Sequence, residues 1–289
     1  MRSTFTALAR RLTALASTLL LGGLLTAVMV RMSPGFDTDE RELDPRLNQA
    51  SRDSIRQERA ANRNIAEFYA RRLEAMVIHG DLGRSPSLQR PIAQLLRERA
   101  AVTAEIVAIG MLGGWALAFA LAVPAVLWRS LVFRGLAGLS QQALLCLPAA
   151  AVAIVFFDIG GPVRALVALV VCPRVFEYIR ALLLEAYAQP HVLAARAKGL
   201  GALGIWVRHV MPGVAPQLLA MAGVSFSIAF GAAIPVEALC DLPGIGQLAW
   251  MAATARDLPL LVTITFLVIA MTQVCGMVSD WAGLREKRA

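Results

Sequence analysis

Five long apolar runs limit the architectures open to this chain more than any other feature. Leu12–Val30, Gly135–Phe157, Gly213–Val236 and Leu258–Ser279 contain no charged residue, and Val102–Leu127 contains only Glu105. A helix needs roughly 20 residues to cross the hydrocarbon core of a bilayer. Only structures that satisfy their own backbone hydrogen bonds survive there, so runs of this length predict membrane-spanning helices. Hydrophobic residues make up 57% of the 289 and the mean hydropathy is +0.62, above the usual range of soluble domains. The first run follows Arg10 and Arg11. A cleaved signal peptide is the competing explanation, but the run is long for one and continues into Arg31-Met32-Ser33-Pro34 without a small-x-small site.

A sixth span is expected over Pro162–Leu184, although Arg164, Arg174, Glu177 and Arg180 interrupt it. Arg174, Glu177 and Arg180 recur every third residue, so Glu177 can pair with either arginine on one helix face. Their position near one end of the span also lets the long side chains reach the interface. Charges inside a membrane mark partnered or wet positions, which makes these three candidate functional residues.

The net charge of +8 comes with a pI near 10, but the cations sit between apolar runs and form no basic face of a soluble fold. Nucleic-acid binding is therefore not expected. Cations in the short connections divide unevenly. Arg129, Arg134, Arg196, Lys198 and Arg208 fall on the side of both termini; the opposite short loops hold Arg256 against Asp158, Glu237, Asp241 and Asp257. Positive residues stay cytoplasmic, so six spans with both ends inside satisfy the pattern. The expected organisation is a cytoplasmic N-terminus (1–11), a first transmembrane helix (12–30), an extracytoplasmic segment (31–101), a core of five transmembrane helices (102–281) and a cytoplasmic tail (282–289).

Residues 31–101 hold 13 Arg and 11 Asp or Glu. Loops that long translocate largely regardless of charge. Within them Ile65, Phe68, Tyr69, Leu73, Met76 and Val77 follow helical spacing before Gly80, so a short amphipathic helix is expected.

The connection 185–212 is too long for a turn. Pro190 suits a first helical turn, Ala194, Ala195, Arg196, Ala197 and Lys198 are good helix formers, and Gly199 can end the helix. Pro212 then marks the start of the fifth span, and the small side chains would let another protein approach closely.

At these residues the chain resembles the inner-membrane permeases of binding-protein-dependent ABC importers. Their cytoplasmic EAA loop has a glycine thirteen residues before a proline, as Gly199 and Pro212 are. Ala195-Arg196-Ala197-Lys198-Gly199-Leu200 is similar to the dipeptide/oligopeptide (nickel) branch. Glu237 with Pro243-Gly244-Ile245-Gly246, Ala255-Arg256-Asp257-Leu258-Pro259 and Gly80-Asp81-Leu82-Gly83 resemble further family elements. Departures are Leu193 at the acidic position of the loop, Pro190-His191 in place of an acidic-Tyr pair, and Glu177 where a cation is common.

The resemblance implies an all-α membrane protein with the six-helix fold of type I importer permeases. It implies half of a translocation pathway for peptides or similar small solutes. A second permease, two ATPase subunits holding ATP and Mg, an extracytoplasmic solute-binding protein and membrane lipid would be its partners. Ala194–Gly199 would press on the ATPase, Gly201 would help form the exit turn, and Glu237, Pro243, Gly244 and Gly246 would build a re-entrant element at the outer end. The implied location is the bacterial inner membrane. No cofactor or catalytic residue is expected in this chain, which has no P-loop motif, and His79, His191 and His209 have no metal-ligand spacing. An ion-gradient-driven transporter is the alternative; it would want broken helices with midplane acids.

Overall fold

The computed structural model describes residues 65–127, 148–158 and 161–286. It also describes parts of the first apolar run (16–18, 20–26, 28–29) and positions 13, 32, 135, 138, 139, 143 and 146. The N-terminal end, most of segment 31–64, the connection holding Arg129 and Arg134, and the last three residues lie outside the described residues.

Among the described residues the chain is helical, with no strand beyond one bridge between Arg84 and Pro91. The helices are α1 (Ile65–Ile78), α2 (Ile92–Leu127), α3 (Ala149–Asp158), α4 (Leu166–Ala188), α5 (Pro190–Ala197), α6 (Ala202–Ile205), α7 (Met211–Leu239), α8 (Ile245–Thr254) and α9 (Leu258–Glu286). A π turn, Trp206–Val210, joins α6 to α7, giving one continuous helical run over Ala202–Leu239. That run, α2 and Leu258–Met277 are long and apolar enough to cross a membrane. At 1.5 Å per residue the 36-residue α2 is about 54 Å long, well over the roughly 30 Å hydrocarbon core. It begins ten residues before the apolar run, in a turn where Arg90 meets Glu98 at 2.5 Å.

The helices gather into two compact units, one drawn from residues 1–99 and 248–271, the other from 100–247 and 272–289. In the second unit α7 packs on α4 and α3. Here α2 approaches α4 through glycine: a Cβ on Gly114 would lie 2.8 Å from Val171, one on Gly113 3.1 Å from Ala168, and one on Gly110 would run into Val167. Small residues let transmembrane backbones approach closely where no hydrophobic force separates lipid from protein contacts. Leucine at Gly114 is therefore expected to cost about 1–3 kcal/mol by overpacking. A lowered thermal midpoint of the detergent-solubilised protein measures it. Glu105, the lone charge of its run, meets Arg164 at 2.6 Å.

In the first unit the face of α1 read from spacing packs as expected. Tyr69, Leu73 and Met76 lie against Leu258, Val262 and Phe266 of α9, and the Tyr69 and Phe266 rings stack at 5.9 Å. Tyr69 Oη donates to the Leu20 carbonyl at 3.1 Å, which ties in the first apolar run. Gly80, with φ +63, ends α1, and the Asp81 N–H returns to the Ala75 carbonyl at 3.0 Å.

Candidate functional site

The connection 185–212 folds as its composition dictates. Gln189 breaks α4 with an extended ψ of 140°, and Pro190 opens α5 at a position where no N–H is needed. Gly199 closes it with φ +76. Its N–H donates to the Arg196 carbonyl at 3.0 Å and that of Leu200 to the Ala195 carbonyl at 3.3 Å. This is the two-bond Schellman ending that a left-handed glycine permits.

The helix is not presented evenly. Val192 and Ala195 are buried, while Leu193, Ala194, Ala197, Lys198 and Leu200 are exposed. Ala195, expected on the outward contact face, instead points into the protein. Arg196 lies over the Tyr187 ring at 5.1 Å, and Tyr187 faces Trp206 at 6.5 Å. The His191 ring is 6.4 Å from that of His209, and its Nε2 lies 3.3 Å from the His209 carbonyl. So α5 is seated on the end of α4 and on the π turn, with Leu193, Ala197 and Leu200 forming an outward apolar strip at four- and three-residue spacing. Leu193 and Leu200 belong to that face, and their spacing was the signal for it.

Two expectations about backbone change. Gly201 has φ −63 and ψ 153, which any residue adopts, and an added Cβ there meets nothing within 4 Å. The tight turn belongs to Gly199 alone. Pro212 lies in the first turn of α7, as expected of a proline at a helix start, but α7 continues a helical run that already begins at Ala202. The π turn before it shifts the hydrogen-bond register where a proline lacks its donor.

The element expected at the outer end is built around a buried carboxylate. Glu237, near the end of α7, is fully buried, and its Oε2 accepts the Gly246 N–H at 2.6 Å. A Cβ on Gly244 would run into that carboxylate; one on Gly246 would lie 2.5 Å from the Ile234 Cα. Pro243 and Gly244 thus shape a turn pressed onto α7, with Asp241 at φ +52. Thr103 of α2, which nothing in the local pattern marks, accepts the Ile245 N–H at 2.9 Å.

Of the three charges expected within the sixth span, Arg180 pairs with Glu177 at 3.6 Å, while Arg174 is exposed. Pro173, beside it, is accommodated inside α4.

A second polar cluster emerges in the first unit. The loop between α1 and α2 folds back on itself, with Ser85 N–H on the Arg90 carbonyl and Ile92 N–H on that of Gly83, both 2.9 Å. Asp257, just before α9, accepts from Ser85 Oγ at 2.5 Å, Ser87 Oγ at 2.6 Å and Ser87 N–H at 3.1 Å. Its other oxygen accepts the Leu260 N–H at 3.0 Å, the bond of a helix N-cap. Beneath it Arg72 donates to the Leu82 carbonyl and, at 3.2 Å, to Thr263 Oγ1. Burial pushes the Arg72 guanidinium below its usual range, with Asp81 and Asp257 opposing the shift. Gly80-Asp81-Leu82-Gly83 and Ala255-Arg256-Asp257, separate motifs in the sequence, are thus one structure.

Among the described residues, helices with long apolar spans, a seated helix on one connection and a carboxylate-braced turn on another fit the class of membrane permeases. Residues 110–284 match the family described as "Binding-protein-dependent transport system inner membrane component". The chain belongs to this family of ABC importer permeases. Its relatives include a Brucella abortus protein named as a peptide transport system permease, 27% identical over 63% of this chain and 67% of the relative. A Brucella ovis protein named as a peptide permease is 26% identical over 90% of each chain. A glutathione transport system permease protein of Escherichia coli is 23% identical over 87% of this chain and 88% of its own length. Membership of the family displaces the ion-gradient alternative.

Proposed function

We propose that this permease forms half of an import pathway for small peptides or peptide-like solutes and takes its driving force through α5. The observation that carries the coupling role is the Schellman-closed α5, seated by Val192 and Ala195 and offering Leu193, Ala194, Ala197 and Leu200 outward. A small, rigid, apolar ridge on a connection between spans suits a groove on a cytoplasmic ATPase. Peptide cargo is supported by the names of the relatives.

In this proposal six spans place both termini in the cytoplasm of a bacterial cell. A second permease completes the pathway, two ATPase subunits bind the ATP and Mg, and a solute-binding protein delivers cargo from outside. Closure of the ATPase pair moves two α5 ridges together and shifts the spans between inward- and outward-open populations. Glu237, Pro243, Gly244 and Gly246 form the outer gate, and Arg174, Glu177 and Arg180 anchor α4 near the interface.

Single cysteines test the ridge in the assembled complex. Cysteine at Ala197 or Leu200 is expected to crosslink to the co-purifying ATPase, and cysteine at Ala195 is not. Deleting 190–199 should abolish ATP-driven uptake. Equal crosslinking from all three positions, or uptake surviving the deletion, would sink the proposal.

A further inference from the structure

A helix leaves its first N–H groups without partners inside itself, and when that end is buried other groups must accept them. At the start of α8, Thr103 Oγ1 accepts the Ile245 N–H at 2.9 Å and Glu237 Oε2 the Gly246 N–H at 2.6 Å, with the Gln247 N–H beside the same carboxylate. Both acceptors come from other helices, Thr103 from α2 and Glu237 from α7, and both are buried. The carboxylate also lies at the positive end of the α8 dipole, which favours it there. Below the turn the Gly246 Cα–H side faces the Ile234 backbone with no room for a Cβ.

From this geometry we infer that Thr103 and Glu237 are positioning residues that latch the first turn of α8 shut against the end of α7. The inference rests on the outer-gate role proposed above. It adds that the gate is held by two side-chain acceptors acting through backbone N–H groups, and it brings in Thr103. The Thr103 side chain also bonds the Glu237 carboxylate, whose Oε1 has no hydrogen-bond partner, so the two acceptors hold the turn as one device through Oε2 and Thr103 Oγ1. The seated turn is then a single discrete arrangement that either holds or releases.

The test uses the complete transporter in proteoliposomes with its binding protein. Uptake is read together with the ratio of cargo-stimulated to basal ATP hydrolysis. Thr103→Val keeps the side-chain volume and removes the acceptor; Glu237→Ala removes the other. Losing one such bond is expected to shift the seated-to-lifted balance about tenfold. Uptake should fall correspondingly while basal hydrolysis rises, because the motor then turns without a closed gate. Thr103→Ser and Glu237→Gln each retain an acceptor and should stay within about twofold of wild type in both readouts. If Glu237→Ala fails to assemble, Thr103→Val decides alone. Wild-type uptake and ratio in Thr103→Val, or conservative variants as impaired as the others, would overturn the latch. The 190–199 deletion, run alongside, separates the cases: uptake lost there with Thr103→Val unaffected rejects only the latch, whereas uptake retained in the deletion rejects the permease-coupling proposal itself.

Discussion

Valine at position 199 is expected to abolish ATP-driven uptake while leaving the chain in the membrane, and asparagine there is expected to keep most of it. Gly199 holds φ +76, and a Cβ added to it would meet nothing within 4 Å. Crowding of a Cβ within this chain is therefore not the source of strain; the backbone conformation is. A residue with a Cβ loses about 1–2 kcal/mol in the left-handed region, a β-branched one most of all, whereas Asn enters it readily. If valine drives the chain out of that region, the Gly199 and Leu200 N–H bonds to the Arg196 and Ala195 carbonyls go too, at about 1 kcal/mol each. An eight-residue helix has no stability of its own to absorb such a loss, so α5 would unravel from its C-terminal end. Leu200, at the end of the outward ridge, would lose its place. Uptake normalised to the amount of membrane-inserted chain makes the measurement, with Gly199→Ala falling between the two. Valine that transports as well as glycine would show that the closed end of α5 does not matter.

The extent to which the sequence disclosed this structure varied with the range of the forces involved. The apolar runs at 102–127, 213–236 and 258–279 marked the three described helices long enough to cross a membrane, because exclusion of charge from lipid acts on every residue of a helix. Pro190 and Gly199 marked the ends of α5, because each acts on its own backbone. The inward turn of Ala195 was not legible: Ala194, Ala195 and Ala197 are alike, and the adjacent Val192 and Leu193 point to no single apolar face. Its orientation is set by Tyr187 and Trp206, which come from outside the helix. Hydropathy alone starts this span at Val102, because Arg97, Glu98 and Arg99 interrupt the apolar pattern, whereas α2 begins at Ile92; Pro91–Leu96 pointed to that entry helix only through the family resemblance. A helix that leaves the bilayer carries charge without ending, and here Gln94 and Arg90 both bond Glu98.

Long-range pairings had no signal at all. Thr103 and Ile245 are 142 residues apart, and Ser85 and Asp257 are 172 apart. Each partner looks ordinary where it stands. The hint for Asp257 was its place before Leu258-Pro259, since an Asp one residue ahead of an apolar run, with proline in the first turn, is a helix N-cap. That hint identifies one bond of four.

The other three make the second large prediction. Alanine at Asp257 is expected to cost about 3–5 kcal/mol, because it removes an almost fully buried acceptor and strands its donors. Two serine hydroxyls and the Ser87 N–H lose the oxygen they share, and the Leu260 N–H loses its cap. Asparagine should lose about half as much: its one carbonyl oxygen can serve the cap or the serines but not both. Changing Ser85 and Ser87 together to alanine should resemble Asp257→Asn, since the cap survives and the carboxylate keeps one bond. The released element is the turn 83–91, which is still tied by its internal bonds, by Arg90 to Glu98 and, one residue before it, by the Arg72 contact at Leu82. Limited proteolysis of the assembled transporter should then cut within 83–91 in Asp257→Ala and spare the wild type, with a lower thermal midpoint in the same order as the three variants. Equal protection of that turn in wild type and Asp257→Ala would mean that it holds its shape without the carboxylate, and that the two motifs meet without depending on each other.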